Sequence, residues 1–178
     1  MPKDRERAYQ SLLGQISKAA TATSEFETDV VSYPFESKFS CFVPDFATVE
    51  GDTITLTLDA FAQAGFPLTG AVRETPLGIA ARDAFESTTR VLFPEGYTEV
   101  EHLPKSYAFR SPTDASLWCL SRVRSRINEE GRLEVTVHRT MTRRTSSVLE
   151  ATYFPLLKDW SRLSAAPETR TISVRRKN

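Results

Sequence analysis

The densest polar feature of the chain is a row of three arginines, Arg122, Arg124 and Arg126, spaced two residues apart in the stretch LWCLSRVRSRI. In an extended strand that spacing places all three guanidinium groups on one face, because successive side chains alternate between the two faces of a sheet. Arg132 joins the same face if the strand turns back on itself, and Arg143 and Arg144 lie nearby in sequence. Guanidinium groups arrayed in this way could hold an acidic protein surface, a polyanion or a carboxylate-bearing glycan through charge-assisted, often bidentate hydrogen bonds. The plainer role is a solvated sheet face neutralised by Glu129, Glu130 and Glu134.

Nucleophilic and metal chemistry have little to draw on. A cysteine nucleophile needs a histidine within hydrogen-bond reach and usually a third group to orient it. The chain offers Cys41, Cys119, His102 and His138. In the hairpin register derived below, Cys119 faces the core and His138 the opposite side, so a cysteine-dependent enzyme is the weakest of the functional expectations. Two His and two Cys show none of the close spacings of zinc ligands. The glycines sit scattered at turns, without a phosphate-cradling loop, dinucleotide fingerprint or nucleophile elbow. No catalytic residue, metal or cofactor is expected. Whether Cys41 and Cys119 pair stays open, since sequence does not fix their distance.

The chain has 178 residues, 23 basic against 23 acidic side chains, and 40% apolar residues. Zero net charge argues against general nucleic-acid binding and against a polybasic membrane anchor. The longest uncharged run, Ala60 to Val72, is broken by Gly65, Pro67 and Gly70 and is too short to span a bilayer. No apolar stretch of the kind found in a secretory signal follows the charged start Lys3 to Arg7. Length and composition suit one domain over 1–178, large enough to close a core without disulfides or metal. Of the aromatic residues 11 are Phe, which favours core over a sugar-binding platform of exposed Trp and Tyr.

The elements that must position the arginines are mostly strands. Tyr9, Leu12, Leu13 and Ile16 recur at helical spacing and predict an amphipathic helix over Asp4 to Lys18. Gly14 costs it about 1 kcal/mol relative to Ala, so the apolar stripe must rest on something: its own sheet or a neighbouring domain. Beyond Thr21 the period changes to two. Asp52 to Leu58 places Ile54, Leu56 and Leu58 on one face, and further strands are expected over 28–33, 38–43, 87–93, 98–102 and 171–175. Leu117 to Arg143 reads as a hairpin. Leu117, Cys119, Val123 and Ile127 must face the same side as Leu133, Val135, Val137 and Met141, which requires odd positions to pair with odd. Pairing Asn128 with Arg132 satisfies this and leaves Glu129, Glu130 and Gly131 as the loop, with Gly131 in the left-handed region. The same register puts Arg126 across from Glu134 and Arg122 across from His138. Helical spacing returns at Leu156, Leu157, Trp160 and Leu163, with Thr152 as N-cap of a helix over 152–163. The expected fold is mainly β: an antiparallel β-sandwich-like domain with flanking N-terminal and C-terminal helices.

Val91 to Pro104, VLFPEGYTEVEHLP, resembles the "LP-x-G-Y-x-V-x-x-LP" strand-turn-strand of the C-terminal β domain, of unknown function, found in bacterial transglutaminase-like proteins. In the same order, Gly131 to Arg139 (GRLEVTVHR) resembles that family's "G-x-L-x-V-x-R" strand, and Tyr153 to Trp160 (YFPLLKDW) its "Y-P-x-L-x-x-F" helix. Arg73 to Pro76 and the opening helix Arg7 to Leu13 fit more loosely. Phe93 stands where the family has Leu, and Phe154 is inserted between Tyr153 and Pro155. In the family the catalytic Cys, His and Asp belong to a preceding papain-like domain whose motif is absent here, so no catalytic residue carries over. The resemblance implies a non-catalytic accessory module beside a transglutaminase-like or peptidase-like domain, exported or periplasmic if part of a longer chain and cytoplasmic if Met1 is the natural start. The alternative is a stand-alone binding module for a glycan or acidic protein surface, with Arg122, Arg124 and Arg126 as its contact row.

Overall fold

A computed structural model describes residues 2–29, 31, 36–58, 77–79, 83–110, 117–143, 147–149 and 166–177. The chain divides into two compact units, Met1–Phe46 and Ala47–Asn178.

In the first unit, helix α1 (Pro2–Ile16) precedes four short strands, β1 (Thr21–Ala22), β2 (Glu27–Asp29), β3 (Glu36–Lys38) and β4 (Cys41–Phe42). Strand β1 pairs with β4, and β2 with β3, both antiparallel. The helix starts and stops two residues earlier than the sequence pattern suggests. Pro2 is tolerated in the first turn, where an amide hydrogen has no intrahelical partner. At the other end the Ala19 amide donates to the Ser17 hydroxyl, and the chain leaves the helix through a turn. The apolar stripe rests on its own unit. Tyr9 and Leu13 are buried, and the Tyr9 ring stacks on Phe26 at 5.1 Å and meets Phe39 edge-on at 5.6 Å. The Tyr9 hydroxyl donates to the Ser24 carbonyl at 2.9 Å. These contacts hold a helix that at this length is marginal alone. The strand expected over 38–43 is split. The Ser40 amide donates to the Ser24 hydroxyl instead of a ladder partner, at the point where Phe39 turns toward Tyr9. Of the strand expected over 28–33, only 28, 29 and 31 are among the described residues.

The second unit contains β5 (Ala47–Glu50), β6 (Thr53–Thr57), β7 (Leu77–Ile79), β8 (Asp83–Leu92), β9 (Tyr97–His102), β10 (Tyr107–Arg110), β11 (Leu117–Ile127), β12 (Leu133–Arg143), β13 (Ser147–Leu149), a 3-10 turn at Pro167–Thr169, and β14 (Thr171–Arg176). Two four-stranded antiparallel sheets form, in the orders β10-β11-β12-β8 and β5-β6-β14-β9, beside the small pair β7-β13. Their facing residues make one core: Ile54, Leu56, Leu58, Ile172 and Val174 from the second sheet and its ends, and Phe93, Leu133, Val135 and Val137 from the first. The result is the expected mainly β, sandwich-like arrangement. The alternation that drives it is plain in β6 and β14, where every second side chain is buried. Full burial of each such side chain stabilises by about 1.5–3 kcal/mol, and the threonines between those of β6 are themselves β-branched residues that favour strands. The helix expected over 152–163 lies outside the described residues.

Candidate functional site

The β11–β12 hairpin adopts the register that its apolar pattern requires. Ile127 pairs with Leu133, Val123 with Val137, Arg126 with Glu134 and Arg122 with His138. At the tip the Asn128 amide donates to the Arg132 carbonyl at 2.9 Å, and the Gly131 amide to the Asn128 carbonyl at 3.0 Å. The Asn128 side-chain oxygen accepts from the amides of Glu130 and Arg132. Gly131 takes φ +76°, the left-handed region that a three-residue loop needs at this position. One expected core residue differs: Ile127 shares the inward parity of Val123 but is 52% exposed, although its partner Leu133 on β12 is buried.

Even positions of β11, β12 and β8 face outward and line up in cross-strand rows. Toward the hairpin tip the first row is Arg126, Glu134 and Leu92; the second is Arg124, Thr136 and Arg90; the third is Arg122, His138 and Thr88; the fourth is Leu120, Thr140 and Glu86. All three arginines of β11 are exposed, as is Arg90. The face therefore sets four arginines against two carboxylates, Glu86 and Glu134.

Glu134 binds two of those arginines. Its Oε1 accepts from Nε and Nη2 of Arg126, at 3.0 and 2.9 Å, and its Oε2 accepts from Nε of Arg90 at 2.7 Å. The Glu134 side chain is only 3% exposed, yet its cover consists of the Arg90 and Arg126 side chains, which are 67% and 69% exposed. The carboxylate thus lies at shallow depth beneath two mobile-length cations. The Arg90 hydrogen bond is the main reason that its pKa falls below the ordinary value; burial opposes this, and Arg126 adds to the lowering. A shallow pocket of about 360 Å³ opens at this end of the face, lined by Arg90, Arg126, Ile127, Asn128, Glu130 and Glu134 among others.

Arg122 and Arg124 have no such partner among the described residues. Glu129 and Glu130, expected to neutralise the row, are exposed in the turn and make no ion pair with it. Arg132 shares the outward parity but is occupied, donating from Nε to the Phe93 carbonyl at 2.9 Å. Arg144 lies outside the described residues. His138, between Arg122 and Thr88, has Thr88 Oγ1 3.2 Å from Nδ1 and Thr140 Oγ1 3.0 Å from Nε2, with Glu86 Oε1 3.9 Å from Nε2. The register gives Cys119 and His138 opposite parity, and Cys41 is a free thiol in the first unit.

A second polar feature, on the inner face of the same sheet, did not emerge from sequence patterns. Tyr107, Ser121, Arg139 and Ser87 form one row across all four strands. Arg139 is 2% exposed and Ser121 is fully buried. Burial lowers the pKa of Arg139; its interaction with Tyr107 opposes the shift and the like charge of Arg170 adds to it. The signal was available, since the odd positions of β12 read Leu133, Val135, Val137 and then Arg139. Because Arg139 is closed off from solvent, the outer face is the one that a partner can touch.

Comparison of the chain with protein-family models, with curated proteins and with solved structures finds no match to any of them. Among the described residues no cluster of three or more His, Cys, Asp or Glu could hold a metal ion, and no helix is long and apolar enough to cross a membrane. Fold and site together define a β-sandwich-like unit with one cationic sheet face. On that face two arginines of the row, Arg122 and Arg124, pair with no carboxylate among the described residues.

Proposed function

We propose that the chain is a non-catalytic interaction module whose outer β8-β12-β11 face docks an acidic protein surface. The observation that carries this reading is the unequal treatment of the arginines: Glu134 binds Arg90 and Arg126, while Arg122 and Arg124 stand exposed without a counter-charge among the described residues. Like charges two residues apart on one strand repel, a cost that a partner carboxylate removes and water only screens. Following the resemblance of its strand motifs, the partner is an adjacent transglutaminase-like or peptidase-like domain, and the module's work is to position that domain or its substrate.

The test is binding of the full chain to soluble polyglutamate, with polygalacturonate as a carboxylate-bearing glycan for comparison. The expected result is salt-sensitive binding to polyglutamate that is lost in the Arg122→Glu/Arg124→Glu variant. Equal binding by that variant would remove the arginine row from the interaction. Preference for polygalacturonate would assign the face to a glycan.

A further inference from the structure

We propose that the second and third rows of the outer face, around Arg122, Arg124, His138 and Thr88, form a seat for a phosphate monoester carried by a serine or threonine of the acidic partner. This rests on the reading of the face as an acid-binding surface and narrows its ligand.

A carboxylate has two coplanar oxygens, and two guanidinium groups, one at each oxygen, occupy both. Glu134 illustrates the limit, with one oxygen bound to Arg126 and the other to Arg90. One row further along, the face offers more donors than a carboxylate can use. Arg122 and Arg124 project from β11 two residues apart, about 7 Å along the strand. Facing them on β12 are Thr136 and His138, and beyond these on β8 lie Thr88 and Arg90, the latter already held by Glu134. A phosphate monoester has three outward oxygens arranged tetrahedrally, accepts from several directions at once, and carries close to two negative charges at neutral pH.

The histidine supplies the second part. Its two ring nitrogens lie 3.2 Å from Thr88 Oγ1 and 3.0 Å from Thr140 Oγ1. A neutral imidazole has one donor and one acceptor nitrogen. One threonine hydroxyl therefore donates to the ring, and the other accepts from it. The accepting hydroxyl keeps its own hydrogen, free to donate to a ligand above the sheet. With the hydrogen on Nδ1 the free hydroxyl is that of Thr88, with the hydrogen on Nε2 it is that of Thr140, and a protonated ring frees both. Glu86, 3.9 Å from Nε2 and 71% exposed, lies two residues from Thr88 on β8, across β12 from Arg122, at the rim of the seat. Its repulsion bears on the β8 edge, and the phosphate is placed toward β11, where Arg122 and Arg124 supply the charge and the His138 and Thr88 pair adjoins them.

The experiment compares three acidic peptides by fluorescence anisotropy with the full chain: one with a central phosphoserine flanked by glutamates, one with Glu-Glu in place of phosphoserine to keep the charge equal, and one with serine. The phosphoserine peptide is expected to bind about tenfold tighter than the Glu-Glu peptide, the gain from added charge-assisted hydrogen bonds. Thr88→Val, at an exposed position and with good strand preference, should bring the phosphoserine affinity most of the way to that of the Glu-Glu peptide; a preference kept in full by this variant would overturn the seat. Equal affinity for the phosphoserine and Glu-Glu peptides, both above serine, would overturn the phosphate seat and leave the acid-binding reading standing. Binding of none of the three would overturn both.

Discussion

Arg126 and Glu134 stand directly opposite each other on β11 and β12, with the guanidinium 2.9 Å from the carboxylate, and this pair divides the outer face in two. Toward the hairpin tip Arg126 is paired with a carboxylate that it shares with Arg90. Arg124 and Arg122 have no carboxylate partner among the described residues, although they emerge from the same strand at the same spacing. The difference lies in β12, where the outward positions after Glu134 are Thr136, His138 and Thr140.

Glu134 makes the stability of the fold sensitive to acid. Its carboxyl is held below the ordinary 4.5 chiefly by the Arg90 hydrogen bond. A depressed folded value means that the contribution is complete above the ordinary range and lost as the pH falls through the folded value. Chemical denaturation at neutral pH and in steps below 4.5 should show the wild-type midpoint approaching that of Glu134→Gln. A constant gap between the two across that range would contradict the assignment.

Gly131 is needed for its backbone. A Cβ there would meet nothing within 4 Å, but φ is +76°. Gly131→Ala should cost about 1–2 kcal/mol, the penalty of the left-handed region for an L-residue, and Gly131→Asn less. Equilibrium unfolding measures both, and equal stability of all three proteins would refute the turn geometry.

Phe93 is the largest fully buried side chain of the core. Its amide donates to the Leu133 carbonyl and its carbonyl accepts from Arg132, so it is fixed at both ends of the residue. Phe93→Ala should destabilise by about 3–5 kcal/mol. A loss below 1 kcal/mol in the unfolding free energy would mean that the two sheets do not close over this ring.

Arg139 spans the inner polar row. Arg139→Ala removes its hydrogen bonds and leaves a cavity, with an expected loss of about 3 kcal/mol. Arg139→Met fills the space without a desolvated charge and should cost less than half as much. Thermal unfolding of the two variants separates these outcomes; equal losses would assign the whole effect to the charge.

The hairpin was legible because two independent signals agree: the odd-parity apolar positions and the turn chemistry of a three-residue loop ending in Gly131. The pairing of Arg126 with Glu134 and of Arg122 with His138 followed from that register alone. Strand order was not legible. β14 inserts between β6 and β9, more than a hundred residues distant from the first, and nothing local encodes that choice. β5 and β10 are too short to register as periodic runs. Arg90 escaped notice as a partner of Glu134 because it comes from β8, across a ladder that periodicity does not predict. Arg139 was hidden by its charge, which reads as a surface residue until the register is known.

The central claim is that the exposed arginines of β11 receive an acidic partner, and amide mapping by NMR tests it most directly. Titration of the isotope-labelled full chain with polyglutamate should move the amide signals of residues 122–126, 136–138 and 88–90 together, and less at high salt. Shifts confined to other parts of the chain, or none at all, would contradict the account.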